Sequence, residues 1–158
     1  MMFNMVLVSP EIPPNTGNVG RSVLATGGKL HLVRPLGFSI DDRNLRRAGL
    51  DYWEDIDLTV WESLDDIVAQ VPAEQLHFFS TRGKYRYDQH NYRPGDWFIL
   101  GSESRGLDPD LLARHEERTF HIPMSNLSVR SLNLSSSAAV VLYEALRQNG
   151  FGGRGGAA

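Results

Sequence analysis

Two periods of hydrophobic and polar positions alternate along this 158-residue chain. Short apolar runs at residues 3–8, 30–33, 58–61, 76–80, 97–100 and 119–122 read as strands. The run Trp97-Phe98-Ile99-Leu100 has no polar interruption, as in a strand covered on both faces. Between these runs lie segments of helical spacing. The clearest starts at Leu134 and repeats at Ala138, Val141, Leu142 and Ala145, the i, i+4, i+7, i+8 stripe of a core-facing helix over residues 134–148. Others are expected from Asn15-Thr16 to about Thr26, stopped by Gly27-Gly28, and over residues 41–48, 64–71 and 109–114. Residues 9–14 hold Pro10, Pro13 and Pro14 and are expected to be loop. Strand and helix alternate nearly throughout, which predicts an α/β fold with a mostly parallel sheet flanked by helices.

Composition narrows the classes. The length suits one domain, assigned to residues 1–150; residues 151–158 are too glycine-rich to pack and are expected to form a disordered tail. The tail's single Gly-Gly-Arg-Gly-Gly is a weak RNA-contact signal. There is no cysteine, which excludes disulfides, zinc-thiolate sites and thiol nucleophiles. No apolar segment reaches membrane-spanning length and no basic stretch precedes the first strand, so a cytoplasmic protein without a membrane partner is expected. A net charge of -3 argues against coating nucleic acid by bulk charge. Fourteen arginines against two lysines nevertheless supply many forks matched to phosphate.

Open parallel sheets bind ligands beyond the carboxyl ends of their strands. Three unusual loops follow predicted strands: residues 15–21, 101–107 and 123–133. The first lacks a glycine for the dinucleotide fingerprint. The second has the interior length of a P-loop, but Leu107-Asp108 stand where Lys and Ser or Thr are needed. Its glycines are also one residue too far apart for a serine-hydrolase elbow. The five histidines show no metal-ligand spacing, so no metal is expected. The third loop runs from a strand end through Pro123 into a serine-rich helix start, where Asn133 and Ser135 are cap-type residues. Such a helix N-terminus presents backbone N–H groups to a polar ligand.

Three segments together carry a resemblance: Asn15-x-Gly17-Asn18-x-x-Arg21; Gly101-x-Glu103-x-Arg105-Gly106-Leu107; and Ile122-Pro123-Met124 with Ser131-Leu132-Asn133-Leu134-Ser135. In this order and spacing they resemble the three motifs of the SPOUT superfamily of RNA methyltransferases, in its ribose 2′-O-methylating branch. Residues 11–18 and 46–52 are similar to the TrmL group, which methylates the wobble nucleotide of certain tRNAs. Ser102 departs from a proline common there, and residues 125–129 differ from the usual loop.

The resemblance implies a deep C-terminal trefoil knot, a fold feature that general topology rules would not propose. It also implies S-adenosylmethionine as co-substrate, tRNA bound at its anticodon stem-loop, and a homodimer with the RNA site across its interface. Carried over by motif position, Phe79, Gly101, Ile122 and Ser131 line the methyl donor, and Gly101 leaves room for adenosine. Arg21 is the catalytic candidate, with Asn133 and Ser135 orienting the same region. Arginine stays protonated, so phosphate binding and stabilisation of a developing 2′-oxyanion suit Arg21 better than a base role. Glu103 and Arg105 are expected to pair with each other or across the interface. Local RNA contact is expected at Arg46 and Arg47, beside Arg43, and at Arg82, in a basic loop where Lys84 and Arg86 interleave with Tyr85 and Tyr87. Tyr143 is a further stacking candidate. The apolar helices near residues 19–24 and 140–146 are candidate interface or core. Two alternatives stay open: ribosomal RNA as substrate, and a non-catalytic RNA-binding module of the same fold.

Overall fold

The computed structural model describes residues 2–48 and 50–152, the side chains of Leu50 and Asp51 excepted. Residues 153–158, most of the expected tail, lie outside them. The strands are β1 (Asn4–Val8), β2 (Lys29–Val33), β3 (Leu58–Trp61), β4 (Leu76–Phe79), β5 (Tyr85–Arg86), β6 (Trp97–Leu100) and β7 (Thr119–His121). They form one sheet in the order β3-β2-β1-β6-β4-β7-β5, and every neighbouring pair is parallel. The helices are α1 (Pro13–Ala25), α2 (Arg43–Ala48), α3 (Leu64–Gln70), α4 (Pro109–Arg114) and α5 (Leu134–Gln148). The expected α/β class and parallel sheet are therefore what the chain adopts.

Alternation along each strand sends side chains to two covered faces. Met5, Leu7, Leu30, Leu32, Phe79, Phe98, Leu100 and Phe120 face α1 and α5. Val6, Val33, Leu76, Phe78 and Ile99 face Ile67 of α3 and Leu111 of α4. The α5 stripe read from spacing is buried as expected: Ala138, Val141, Leu142 and Ala145 are fully enclosed within one chain, as are Val19 and Val23 of α1. These residues are core, and they leave Tyr143, 47 % exposed, as the large apolar group that α5 shows to solvent.

Two expectations need correction. Residues 13 and 14 are helical, not loop: α1 begins at Pro13, with Ile12 as an N-cap that supplies no side-chain bond. Proline belongs at the first helical positions, because its missing N–H would have had no partner there and its φ is already helical. The helix is thus not opened by Asn15-Thr16, which sit inside it. Second, Tyr85 and Arg86 form a strand, pairing with Phe120 and His121 at the sheet edge. A two-residue strand is too short to show a period.

Strand order changes direction more than once, since β6 inserts between β1 and β4 and β7 between β4 and β5. After β1, β2 and β3 step outward, β4 returns on the far side of β6. Crevices form at such reversals, beyond the carboxyl ends of the strands.

Candidate functional site

A cavity of about 1190 Å³ opens beyond the carboxyl ends of β4, β6 and β7. Its walls are the loops 80–84, 101–107 and 122–133, with Ile12 and Asn15 from the start of α1. Phe79, Gly101, Ile122, Ser131 and Asn133 all line it, as does Arg82. Segments far apart in sequence, each singled out by residue type, meet in one pocket.

The loop after β6 folds back on itself. Ser102 bridges Gly106, whose N–H donates to the Ser102 carbonyl at 2.9 Å, and Gly106 holds φ at +67°. A Cβ on Gly101 would lie 2.0 Å from the Gly106 carbonyl carbon and 2.3 Å from the Leu107 nitrogen. Residue 101 must be glycine because the returning backbone touches it, so the room it leaves for a ligand is not the only reason for it.

A chain of hydrogen bonds ties the walls together. The Asn133 carboxamide oxygen caps α5, accepting from the Ser135 N–H at 2.8 Å and the Ser136 N–H at 3.4 Å. Its Nδ2 donates to Asn15 Oδ1 at 3.0 Å, and Asn15 Nδ2 donates to Glu103 Oε2 at 3.3 Å. The Glu103 carboxylate also accepts from the Glu11 N–H at 2.9 Å and the Ile12 N–H at 2.7 Å. In return, Glu11 Oε1 accepts from the Ser104 hydroxyl at 2.6 Å and from its N–H at 3.3 Å. Hydrogen bonding from Ser104, with Arg105 adding attraction, holds the Glu11 carboxyl below its usual range. Negative charge is favourable at a helix N-terminus, and α1 receives it from Glu103. The expected Glu103–Arg105 pairing is therefore replaced, since both Glu103 oxygens are committed to α1. Ser135 does not line the cavity; its hydroxyl donates to Asn133 Oδ1 at 2.6 Å.

The loop after β7 supplies a different surface. Among the described residues, positions 124–132 make no backbone–backbone hydrogen bond. Backbone polar groups of Met124, Ser131 and Leu132, which line the cavity, remain open to a ligand.

Residues 2–143 match the SpoU rRNA methylase family. The chain belongs to that family. It is 50% identical over 155 residues to a tRNA (cytidine(34)-2′-O)-methyltransferase of Burkholderia ambifaria, covering 96% of this chain and 99% of that one. A structure solved in work on 2-OH methylation of C/U34 on tRNA superposes with a TM-score of 0.88 at 44% identity, covering 94% of this chain and 96% of that one. The SpoU methyltransferase AviRb of Streptomyces viridochromogenes, solved with AdoMet, shares the fold at a TM-score of 0.82 and 23% identity, covering 96% of this chain and 58% of its own. The SPOUT resemblance read from three motifs is borne out by this membership.

In this SpoU-family chain Arg21, Arg46, Arg47, Tyr85, Arg86 and Tyr143 fall outside the cavity, whereas Lys84 lines it. Arg21 is exposed on α1, about 9 Å along the helix from Asn15, with its guanidinium carbon 6.0 Å from the Tyr52 ring centroid. Arg46 is held by Glu54 and, at 3.3 Å, by Asp41. Arg47 is exposed on α2. The basic stretch after β4 is largely neutralised: Lys84 and Tyr85 both bond Glu117, and Arg86 pairs with Asp88. Glu117 lies 33 residues from Lys84, so local reading missed it.

None of the five histidines lines the cavity. His31 and His77 are buried and held neutral, burial pushing them down to about 4 and about 3 respectively. Among the described residues, no group of three His, Asp or Glu side chains is arranged to hold a metal ion, and no helix is long and apolar enough to cross a membrane.

Proposed function

We propose that this SpoU-family chain transfers a methyl group from S-adenosylmethionine to the ribose 2′-oxygen of a tRNA wobble nucleotide. The observation that carries the reading is the single cavity in which Phe79, Gly101, Ile122, Ser131 and Asn133 converge. Full-length similarity to the Burkholderia tRNA enzyme selects this substrate over ribosomal RNA. The unbroken Asn133–Asn15–Glu103 chain of bonds favours an enzyme over a non-catalytic module.

The residues present suit the methyl donor. Phe79 and Ile122 offer apolar contact, Gly101 leaves a bare backbone, and residues 124–132 offer uncommitted backbone N–H and C=O groups. S-adenosylmethionine would supply a methyl group on a sulfonium; as the C–O bond forms, the S–C bond breaks to leave S-adenosylhomocysteine and the 2′-hydroxyl proton passes to solvent, so the oxygen must be held in line and stabilised as that proton leaves. The chain's task is positioning and exclusion of water. Asn133 fixes the start of α5 and, through Asn15, the start of α1. Arg21, through its guanidinium fork, binds the phosphate beside the target ribose and stabilises charge growing on the 2′-oxygen. Because Arg21 lies outside the cavity of its own chain, this role fits a homodimer in which a second copy completes the site. Threading of the three loops as a trefoil knot, within one catalytic domain spanning residues 1–150, is the arrangement that holds them together. Arg46, Arg47, Arg82 and Tyr143 receive the anticodon stem-loop, Arg46 by exchanging a carboxylate for a phosphate. A cytoplasmic location follows from that substrate.

A thermal shift tests the donor. At a hundred times its Kd, S-adenosylmethionine stabilises by about 2.7 kcal/mol, a rise of roughly 5–10 °C for a chain of this size, and NAD gives none. Arg21→Ala keeps that shift and loses methyl transfer; unchanged turnover in this variant excludes the role.

A further inference from the structure

Charge accounting over the described residues separates committed cations from available ones. Lys29, Arg34, Arg46, Lys84, Arg86 and Arg147 each have a carboxylate partner. Arg118 is spent on the carbonyls of Leu76 and Glu74. Three arginines line the cavity with no carboxylate within 4.0 Å among the described residues: Arg82, Arg105 and Arg130.

Arg105 and Arg130 come from different loops, and the Arg130 guanidinium reaches the backbone beside Arg105. An Arg130 Nη2 donates to the Ser104 carbonyl at 3.3 Å, the residue immediately before Arg105. Both side chains are exposed at the cavity mouth. The carboxylates nearest them are already occupied, Glu103 by three donors of the α1 entry and Glu11 by Ser104. Glu116, the other acid on the lining, sits in the 3-10 turn before β7. Arg105 and Arg130 are thus cations without an ion pair among the described residues, beside loops that also carry the charges of Glu103 and Glu11.

We propose that Arg105 and Arg130 form a two-pronged clamp for an RNA phosphodiester at the mouth of the cavity. The inference rests on the methyltransferase reading above and names where the RNA backbone is held. Two guanidinium forks on separate loops that touch where Arg130 reaches the Ser104 carbonyl suit the tetrahedral oxygens of phosphate, by paired N–H donation. A nucleic-acid backbone would reach exposed forks at the mouth, whereas the adenosine and methionine parts of the donor fit the apolar and glycine-lined floor. The donor's own carboxylate is the competing anion, and the test separates the two.

The experiment uses the full chain with unfractionated tRNA, titrated at several salt concentrations, for wild type, Arg105→Ala, Arg130→Ala, the double variant and Arg93→Ala. Arg93 is exposed and remote from the cavity lining, so it matches the charge change alone. S-adenosylmethionine affinity is measured in parallel by calorimetry, and melting temperature checks folding. Each clamp variant should weaken tRNA binding about ten-fold and lower the slope of log K against log salt by roughly 0.7, the double variant by about twice that. Affinity for S-adenosylmethionine stays at the wild-type value, and Arg93→Ala keeps the wild-type slope. Slopes equal to those of Arg93→Ala would overturn the clamp while leaving the enzyme reading intact. Lost S-adenosylmethionine affinity with unchanged tRNA binding would reassign the pair to the donor's carboxylate. A wild type that binds no tRNA would sink both the clamp and the reading beneath it.

Discussion

Lowering the pH from 7.5 to 5 should destabilise this fold through His31, by an amount the structure allows to be worked out. The imidazole is enclosed, with Nδ1 accepting from Trp61 Nε1–H at 3.0 Å and Nε2 bonded to Asn4 Oδ1 at 3.0 Å. Trp61 can only donate, so Nδ1 must be bare and the proton sits on Nε2. The ring also stacks on Trp97 with centroids 4.3 Å apart. Adding a proton would set N–H against N–H in a buried place. Burial, with Lys29 repelling and Asp57 partly offsetting, lowers the folded value from 6.5 to about 4. Between those limits the unfolded chain holds the proton and the folded one does not, so stability falls as pH falls. At pH 5 the loss is about 2 kcal/mol relative to pH 7.5, approaching about 3 kcal/mol below pH 4. In melting temperature, 2 kcal/mol is roughly 4–8 °C for this length. Denaturant melts of wild type and His31→Gln at half-unit pH steps isolate the contribution, because His77 and Asp96 titrate in both proteins. The difference between the two stabilities should shift by about 2 kcal/mol over that range. Parallel curves would refute the placement of His31 as a buried neutral imidazole.

Three further outcomes follow from the site. Gly101→Ala places a methyl 2.0 Å from the Gly106 carbonyl carbon; melts should show a loss of about 1–3 kcal/mol or more, and calorimetry reduced S-adenosylmethionine binding. Asn133→Ala removes the α5 cap and strips Asn15 of its donor; about 1 kcal/mol of stability should go, and turnover should fall further than donor affinity. Glu103→Gln removes the charge at the start of α1 and replaces one accepting oxygen with an NH2 that faces a donor. The loss should exceed the roughly 0.3–1 kcal/mol of the charge alone, with only the charge part shrinking in salt, and a loss wholly independent of salt would count against the charge argument.

Much of the architecture was legible because its signals are local. The α5 stripe, the unbroken β6 run and the Asn133 cap each lie within a few residues, and each appears where spacing placed it. The three loops were also recognisable, since glycine, proline and amide residues mark them. What escaped depends on distant partners or on composition that misleads. Pro13 and Pro14 argue against helix anywhere except at its first positions, where they are. Strand β5 exists because β7 offers it an edge. Glu103 looks like one half of a local pair with Arg105, but its partners are N–H groups more than ninety residues earlier. The basic, aromatic look of residues 82–87 fades once Glu117, 33 residues after Lys84, is in place, while Arg130, not singled out in the sequence, ends up lining the cavity beside the loop that carries Arg105. Arg21 shows the limit of one chain: its motif is intact, yet its own cavity does not include it.

Transfer of a labelled methyl group from S-adenosylmethionine to total tRNA, followed by mapping of the modified nucleotide, tests the central claim most directly. Label confined to the ribose of the wobble nucleotide, and absent with Arg21→Ala, is the result expected. Label on a base, on another position or on ribosomal RNA alone would contradict the account, and so would a folded protein that transfers nothing.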